Sequence, residues 1–250
     1  TNLDREAIDD SSARVVLLEN LRFWPGEEEN EPDFVTQLAS LGDFYVNEAF
    51  ANCHREHASI VGLANQMPSA AGAHLSAEIS ILSKVRNTPE HPLVVVIGGA
   101  KVETKEPLVE AFSGQADFIL VGGKIVAELE GHLHNDSIIL ADLIPDGKDI
   151  TEESARKFAE IINNAKTVIW NGSLGLFEDP QYQQGTRIVA EAINRTQAFT
   201  VVGGGDTETA LTELQMEEGI DHISSGGGAM LTFLVEGNLP GIAALGYGHS

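Results

Sequence analysis

Two lysines, an aspartate and two arginines have the types and spacing to act on an anion. Lys101 and Lys105 lie four apart in GGAKVETKEP, which puts both ammonium groups on one face of the helix this segment predicts. Cations at a helix N-terminus oppose the helix dipole, so a bound anion would account for them, whereas the plain alternative is a solvated surface pair. Asp206 directly follows three glycines in FTVVGGGDTETAL. A turn from strand to helix leaves backbone N–H groups unpaired at the positive end of the dipole, and glycine lets an anion come close to them. An acid there would repel that anion unless a cation lay between. Mg2+, held by one carboxylate and by phosphate oxygens, resolves the conflict. The competing reading is that Asp206 caps the helix. Arg22 in LLENLRFWPGEE and Arg55 in NCHREH each follow a strand-like segment, where a guanidinium can grip carboxylate or phosphate with two parallel bonds. Cys53, His54 and His57 are poor metal ligands as a set, with no fourth ligand in sight; a polar patch aided by the arginines is the better reading.

The elements that must hold these groups read as an α/β chain. Val15–Leu18 and Asp43–Val46 are expected strands. Asn30 is an expected N-cap, with Pro32 in the first turn of a helix reaching about Leu41. A short helix is expected over 58–64, a break at Pro68 in PSAAG, and a helix in SAEISILSKV that ends before Pro89 and Pro92. Beyond it one unit recurs: LVVVIGGAK, DFILVGGK, TVIWNGSLG, FTVVGGGDT and DHISSGGGA are each a short apolar strand running into a glycine turn. Their spacing is too uneven for a repeat family but suits βα units of a parallel sheet with helices on both faces. Right-handed crossovers would bring all five turns to the carboxyl edge of that sheet, where α/β proteins bind ligands. A single GG turn is as readily explained by tight helix–strand packing; five in one chain favour a nucleotide or polyphosphate.

Composition narrows the partners. The chain has 250 residues, 38 acidic against 15 basic, for a formal net charge of −23. Nucleic acid is excluded as the main partner, since neutralising its phosphates needs clustered Lys and Arg. The acidity reflects ordinary solubility or adaptation to high salt. No apolar run approaches a membrane span and no leader is apparent. With Cys53 the single cysteine, intramolecular disulfides are excluded, and a cytoplasmic protein is expected. No stretch matches GxxxxGK[ST], and no GxGxxG after a strand has an acid some twenty residues on, so neither a P-loop enzyme nor a dinucleotide-binding oxidoreductase is indicated.

Seven segments, in this order, closely resemble phosphoglycerate kinases: VVLLENLRFWPGEE, DFYVNEAFANCHREHASIVGLA, PSAAG, VVVIGGAKVETK, TVIWNGSLGLFEDPQYQQGT, FTVVGGGDTETA and HISSGGGA. The resemblance implies a monomer of two Rossmann-like three-layer α/β/α domains, the first one partial here. It divides the chain into a 3-phosphoglycerate domain at 1–75, a connecting helix at 76–90, a nucleotide domain at 91–235, and a tail at 236–250 returning toward the first domain. It implies reversible phosphoryl transfer between ATP and the carboxylate of 3-phosphoglycerate, giving ADP and 1,3-bisphosphoglycerate, with Mg2+ as cofactor. By position, Arg22, His54 and Arg55 would hold the triose phosphate. Lys101 would lie near the nucleotide phosphates, with Lys105, Gly204 and Gly227 at the transferred group. Asn171 and Glu178 would contact phosphate and ribose, and Asp206 would ligate the metal. Gly122, Gly203, Gly204, Gly205 and Thr207 would form phosphate turns, with Gly226, Gly227 and Gly228 as the second glycine turn.

The chain departs from the family pattern in several places. The family's DxN segment, its transition-state arginine and HLGRP, all expected before residue 15, are absent. VGGKIVA stands for GGGMA, the stretch from Lys124 to Asp149 is short, DITEES stands for the LDIGPK turn, and Thr232 stands where an acid is expected. These departures bear on adenine binding more than on phosphate binding. They predict little turnover from the 250 residues alone, and they leave a second reading, a homologue that binds nucleotide or phosphate without catalysis.

Overall fold

The computed structural model describes residues 13–129 and 135–247. The chain divides into two compact units, Thr1–Ser80 with Glu236–Ser250, and Ile81–Val235. The helix Ala73–Asn87 carries the chain from one to the other. Among the described residues no helix is long and apolar enough to cross a membrane.

In the first unit the helix Pro32–Ala39 turns Phe34, Val35 and Leu38 inward onto Ala58, with Leu18, Leu21, Trp24, Leu41 and Leu63 around them. The Trp24 and Phe34 rings lie 6.3 Å apart. Pro32 sits at the first helical position, but Glu31 rather than Asn30 precedes it as the cap; Asn30 turns the chain with φ 52°. Two parallel strands follow, β1 (Tyr45–Asn47) and β2 (Ser69–Ala71). Ala58–Gly62 forms a widened helical turn that tightens into an α-turn at Leu63–Gln66. The expected strand at Val15–Leu18 does not form. Val15 and Leu17 are 84% and 95% exposed, and no strand pairs with this segment among the described residues. Without a ladder, β-favouring composition alone does not make a strand. Conversely, PSAAG supplies β2 because pairing with β1 overrides its poor β-propensity.

The second unit is a six-stranded, wholly parallel sheet: β3 (Leu93–Ile97), β4 (Phe118–Val121), β5 (Ile138–Leu140), β6 (Thr167–Asn171), β7 (Phe199–Gly203) and β8 (His222–Ser224). Their spatial order is β5-β4-β3-β6-β7-β8. From β3 the chain winds outward one way through β4 and β5, then returns to the other side of β3 for β6, β7 and β8. The winding therefore reverses between β3 and β6, the place where open α/β sheets leave a crevice. Both faces are covered, as a parallel sheet requires: every residue of β3 is buried. Val94, Val96, Leu120, Trp170 and Val202 join one core with Phe158, Ile162, Val189 and Ile193 of the helices Glu152–Asn163 and Gln184–Arg195. Val95, Ile119 and Val201, out of phase with that set, are equally buried, as are Leu108 and Phe112 of the helix Val102–Phe112. With every strand pointing the same way, the five glycine turns emerge on one edge.

Candidate functional site

That edge is built from backbones too close together for side chains. A Cβ on Gly98, after β3, would lie 2.2 Å from the Ser173 carbonyl oxygen, after β6. The turns after β7 and β8 touch in the same way. Gly204 has φ +108°, and a Cβ on Gly227 would lie 2.5 Å from the Gly204 Cα. Glycine at these positions is imposed by main chain meeting main chain, and the result is a rim of bare peptide groups.

Polar side chains stitch the rim. The buried Asn171 donates through Nδ2 to the Gly203 carbonyl at 2.6 Å. The fully buried Thr207 accepts the Gly172 N–H at 2.7 Å. Through Oδ1, Asn171 accepts a hydrogen bond from the Lys105 ammonium. Lys105 is itself buried, in the helix Val102–Phe112, with its Cε beside Gly99. Burial pushes its ammonium down to about 8, an effect partly opposed by the Asp206 carboxylate. Asp206 is exposed, in the first turn of the helix Gly205–Leu214. The chain thus places a desolvated cation, a carboxylate and a helix N-terminus over one row of peptide groups. This suits a polyphosphate bound with a counter-cation.

The rim opens into a cleft of about 350 Å³ that contains Gly99, Ser173, Leu176, Glu178 and Asp206 on its walls. Of the residues expected at a nucleotide site, Asp206 and Glu178 line this cleft and Lys105 touches its Gly99 edge. Lys101 is exposed and immediately precedes the helix Val102–Phe112. Gly122 and Gly203 face packing instead: Cβ atoms there would meet Leu174 and the Met230 sulfur. Gly205 has open space around it, and Gly226–Gly228 lead into the helix Gly227–Glu236. Thr232 lies one turn inside that helix, its hydroxyl donating to the Gly228 carbonyl.

The far wall of the cleft holds none of the expected site residues. Lys124, Asp146, Gly147 and Lys148 line it, and the Lys148 carbonyl accepts the Leu176 N–H at 2.8 Å. Asp149 anchors this loop. Its buried carboxylate accepts the N–H groups of Ile150 at 2.8 Å and Gly185 at 2.9 Å. It fills the space that side chains on Gly175 and Gly185 would need. Burial raises its pKa, against those backbone hydrogen bonds. The readable signal was PDGKD, a turn sequence next to a strand end.

In the first unit Arg22 donates through Nη2 to Asn52 Oδ1 at 3.0 Å. His54 lies within the electrostatic reach of Arg22, Arg55 and His57. Burial first, then the Arg55 guanidinium, lower its pKa, which favours the neutral ring. Its Nδ1 is buried without a hydrogen-bond partner. The Cys53–His54–His57 cluster does not converge: His57 turns to Glu27 at 3.7 Å, and the Cys53 sulfur sits beside Asn47 and the Ala49 carbonyl. Among the described residues no three His, Cys, Asp or Glu side chains are grouped to hold a metal.

The fold is a doubly wound parallel α/β sheet, and its carboxyl edge, with glycine turns, a buried lysine and an acid at a helix N-terminus, suits an anionic ligand held with a cation. The comparisons place it more narrowly. The profile of the phosphoglycerate kinase family matches residues 2–133 and 131–238. The phosphoglycerate kinase of Herpetosiphon aurantiacus is 37% identical over 283 residues, taking in 94% of this chain and 72% of that protein. That of Deinococcus radiodurans is 38% identical, over 92% of this chain and 68% of its own length. Among solved structures, phosphoglycerate kinase from Pyrococcus horikoshii OT3 superposes with a TM-score of 0.85 at 30% identity, covering 97% of this chain and 75% of that one. The Coxiella burnetii structure gives 0.78, also at 30% identity, over 91% and 71%. The chain belongs to the phosphoglycerate kinase family. The alignment with the Herpetosiphon protein is longer than the chain itself, so that relative carries internal residues missing here.

Proposed function

We propose that this protein is a kinase that moves a phosphoryl group between ATP and the carboxylate of 3-phosphoglycerate, with the nucleotide on the second unit and the triose phosphate on the first. The family supplies the reaction; the arrangement of Lys105, Asn171 and Asp206 at the carboxyl ends of β3, β6 and β7 is the observation that carries its assignment to this rim. Phosphoryl transfer asks for positioning and charge compensation more than covalent work. Lys105, desolvated and aimed by Asn171, would neutralise charge on the transferring group. The peptide N–H groups of Gly204, Gly205 and Gly227 would steady the phosphate oxygens beside it. Arg22 and Arg55 would bind the anionic triose phosphate, with His54 offering a further hydrogen bond.

Asp206 suits Mg2+. It is an exposed carboxylate on the cleft wall, and Mg2+ typically combines one or two carboxylates with substrate phosphates and water. The ion would supply charge neutralisation on the polyphosphate. The rest of the reading is a monomer in the cytoplasm.

Calorimetry with ADP tests the assignment. Binding should be tighter with Mg2+ than with EDTA, and Asp206→Ala should remove that difference, with the EDTA affinity no weaker than in the unaltered protein because the repelling carboxylate is gone. Equal affinities with and without the ion in the unaltered protein would sink the role of Asp206. The enzymatic reading is checked by ADP formation from ATP on adding 3-phosphoglycerate. No response to ATP, ADP or 3-phosphoglycerate in a thermal-shift screen would favour a scaffold, and binding of NADH would favour an oxidoreductase.

A further inference from the structure

The cleft runs along the sheet edge from Asp206, at β7, past Ser173 at β6 and Gly99 at β3, to the loop Asp146–Lys148 that follows β5. The loop reaches back to the β6 side, where the Lys148 carbonyl accepts the Leu176 N–H, and the cleft encloses about 350 Å³. That is room for phosphates, ribose and base. If the polyphosphate sits against Lys105 and Asp206, the base falls at the opposite end. This rests on the nucleotide assignment just made.

The base end joins an apolar wall to a charged tip. Leu176 presents an exposed side chain to the cleft. Beyond it stand the Asp146 carboxylate and the Lys148 ammonium, both exposed and both linked to Tyr182. The Lys148 ammonium lies 4.8 Å from the centre of the Tyr182 ring and 3.4 Å from its hydroxyl. Asp146 accepts the Lys148 N–H at 3.3 Å, and hydrogen bonding to the Tyr182 hydroxyl keeps its carboxyl below the ordinary range. It is therefore an anionic acceptor at neutral pH.

We propose that Asp146 and Lys148 read the base, and that their chemistry is complementary to guanine, making guanine nucleotides substrates of this site. The Watson–Crick edge of guanine offers two adjacent donors, N1–H and the 2-amino group, which match the two oxygens of one carboxylate, and an O6 acceptor beside them for an ammonium. Adenine offers one amino donor next to an acceptor, so it can use one Asp146 oxygen and leaves the second without a partner. A paired, charge-assisted contact discriminates more strongly than a single one. An analogue lacking one donor leaves a polar group of the site unmatched. Hypoxanthine, which keeps N1–H and O6 but lacks the 2-amino group, falls between the two.

The test is calorimetric titration of the whole chain with GDP, IDP, ADP and pyrophosphate, all with Mg2+, for the unaltered protein and Asp146→Ala. Asp146 is exposed in a turn, and thermal unfolding of the variant checks that its fold is kept. GDP should bind the unaltered protein at least as tightly as ADP. The substitution should weaken GDP tenfold or more, IDP less, and ADP threefold at most, while pyrophosphate stays unchanged. Lys148→Met should likewise weaken GDP and IDP. GDP binding more than tenfold weaker than ADP, or equal losses for GDP and ADP on substitution, would overturn the proposal and leave the nucleotide assignment standing. Failure of pyrophosphate and all the nucleotides to bind would remove that assignment and this inference with it.

Discussion

Lys105 offers the sharpest link between burial and ligand binding. Burial pushes its ammonium down to about 8, with the Asp206 carboxylate opposing part of the shift. A lysine whose folded pKa is depressed stabilises the fold above its unfolded pKa, and that contribution is lost as pH falls through the folded value. At neutral pH the rim therefore carries a charge at a desolvation cost, which an anionic ligand offsets. If ADP requires protonated Lys105, its association constant follows the protonated fraction, about 0.9 at pH 7 and about 0.09 at pH 9, a loss of about tenfold or 1.4 kcal/mol. The phosphate of ADP ionises near pH 6, so its own charge is nearly constant in this window. Titrations in EDTA keep the metal out of the measurement. At pH 8, two buffers of different ionisation enthalpy should reveal uptake of about half a proton per ADP bound. Lys105→Met should bind ADP more weakly at pH 7, with an affinity level from pH 7 to 9 and no proton uptake. ADP should also raise the melting temperature of the unaltered protein more at pH 7 than at pH 9. Binding by the unaltered protein that is flat across this range, or uptake that survives in Lys105→Met, would refute the argument.

Two further outcomes follow from the packing. Asp149→Ala strips the acceptor from at least two buried N–H groups and should cost about 2–5 kcal/mol in urea unfolding. Because burial raises the pKa of Asp149, its contribution is fullest below the unfolded pKa and falls as pH rises through the folded one, so the gap between the two proteins should widen from pH 7 toward pH 4. Gly227→Ala drives a methyl group into the Gly204 backbone and should destabilise by about 1–3 kcal/mol, whereas Gly205→Ala, with nothing within 4 Å, should be nearly neutral. Equal stabilities for these two alanine variants would contradict the close approach of the β7 and β8 turns.

How much of this was legible depended on whether a local pattern or a distant partner decided the outcome. The strands β3, β4, β6, β7 and β8 were readable because each joins an apolar run to glycine, and burial on both faces of a parallel sheet demands that run. Ile138–Leu140 has the apolar run without the glycine and was passed over, yet it completes the sheet at β5. Val15–Leu18 erred in the other direction, since strand composition means little where no ladder receives it. The lysines and Asp206 were found through residue type beside a glycine turn. Asp149 was read as part of a divergent turn, and nothing local distinguishes a buried carboxylate that clasps a helix start 36 residues away.

The same distinction explains why the phosphate end of the cleft was foreseen and the base end was not. Phosphate binding is backbone chemistry. It needs glycine, a helix start and a cation, and each leaves a mark within about ten residues of sequence. Base reading is side-chain chemistry on loops that the fold brings together: Asp146 and Lys148 follow β5, Leu176 and Tyr182 follow β6. No spacing rule joins those positions; only the order β5-β4-β3-β6 does. A change such as DITEES for LDIGPK can therefore look like erosion of a motif while the loop beside it carries the Asp146 and Lys148 charges. Altering Asp146 and Lys148 should shift which base is accepted, and altering Lys105 or Asp206 should shift how tightly any polyphosphate is held.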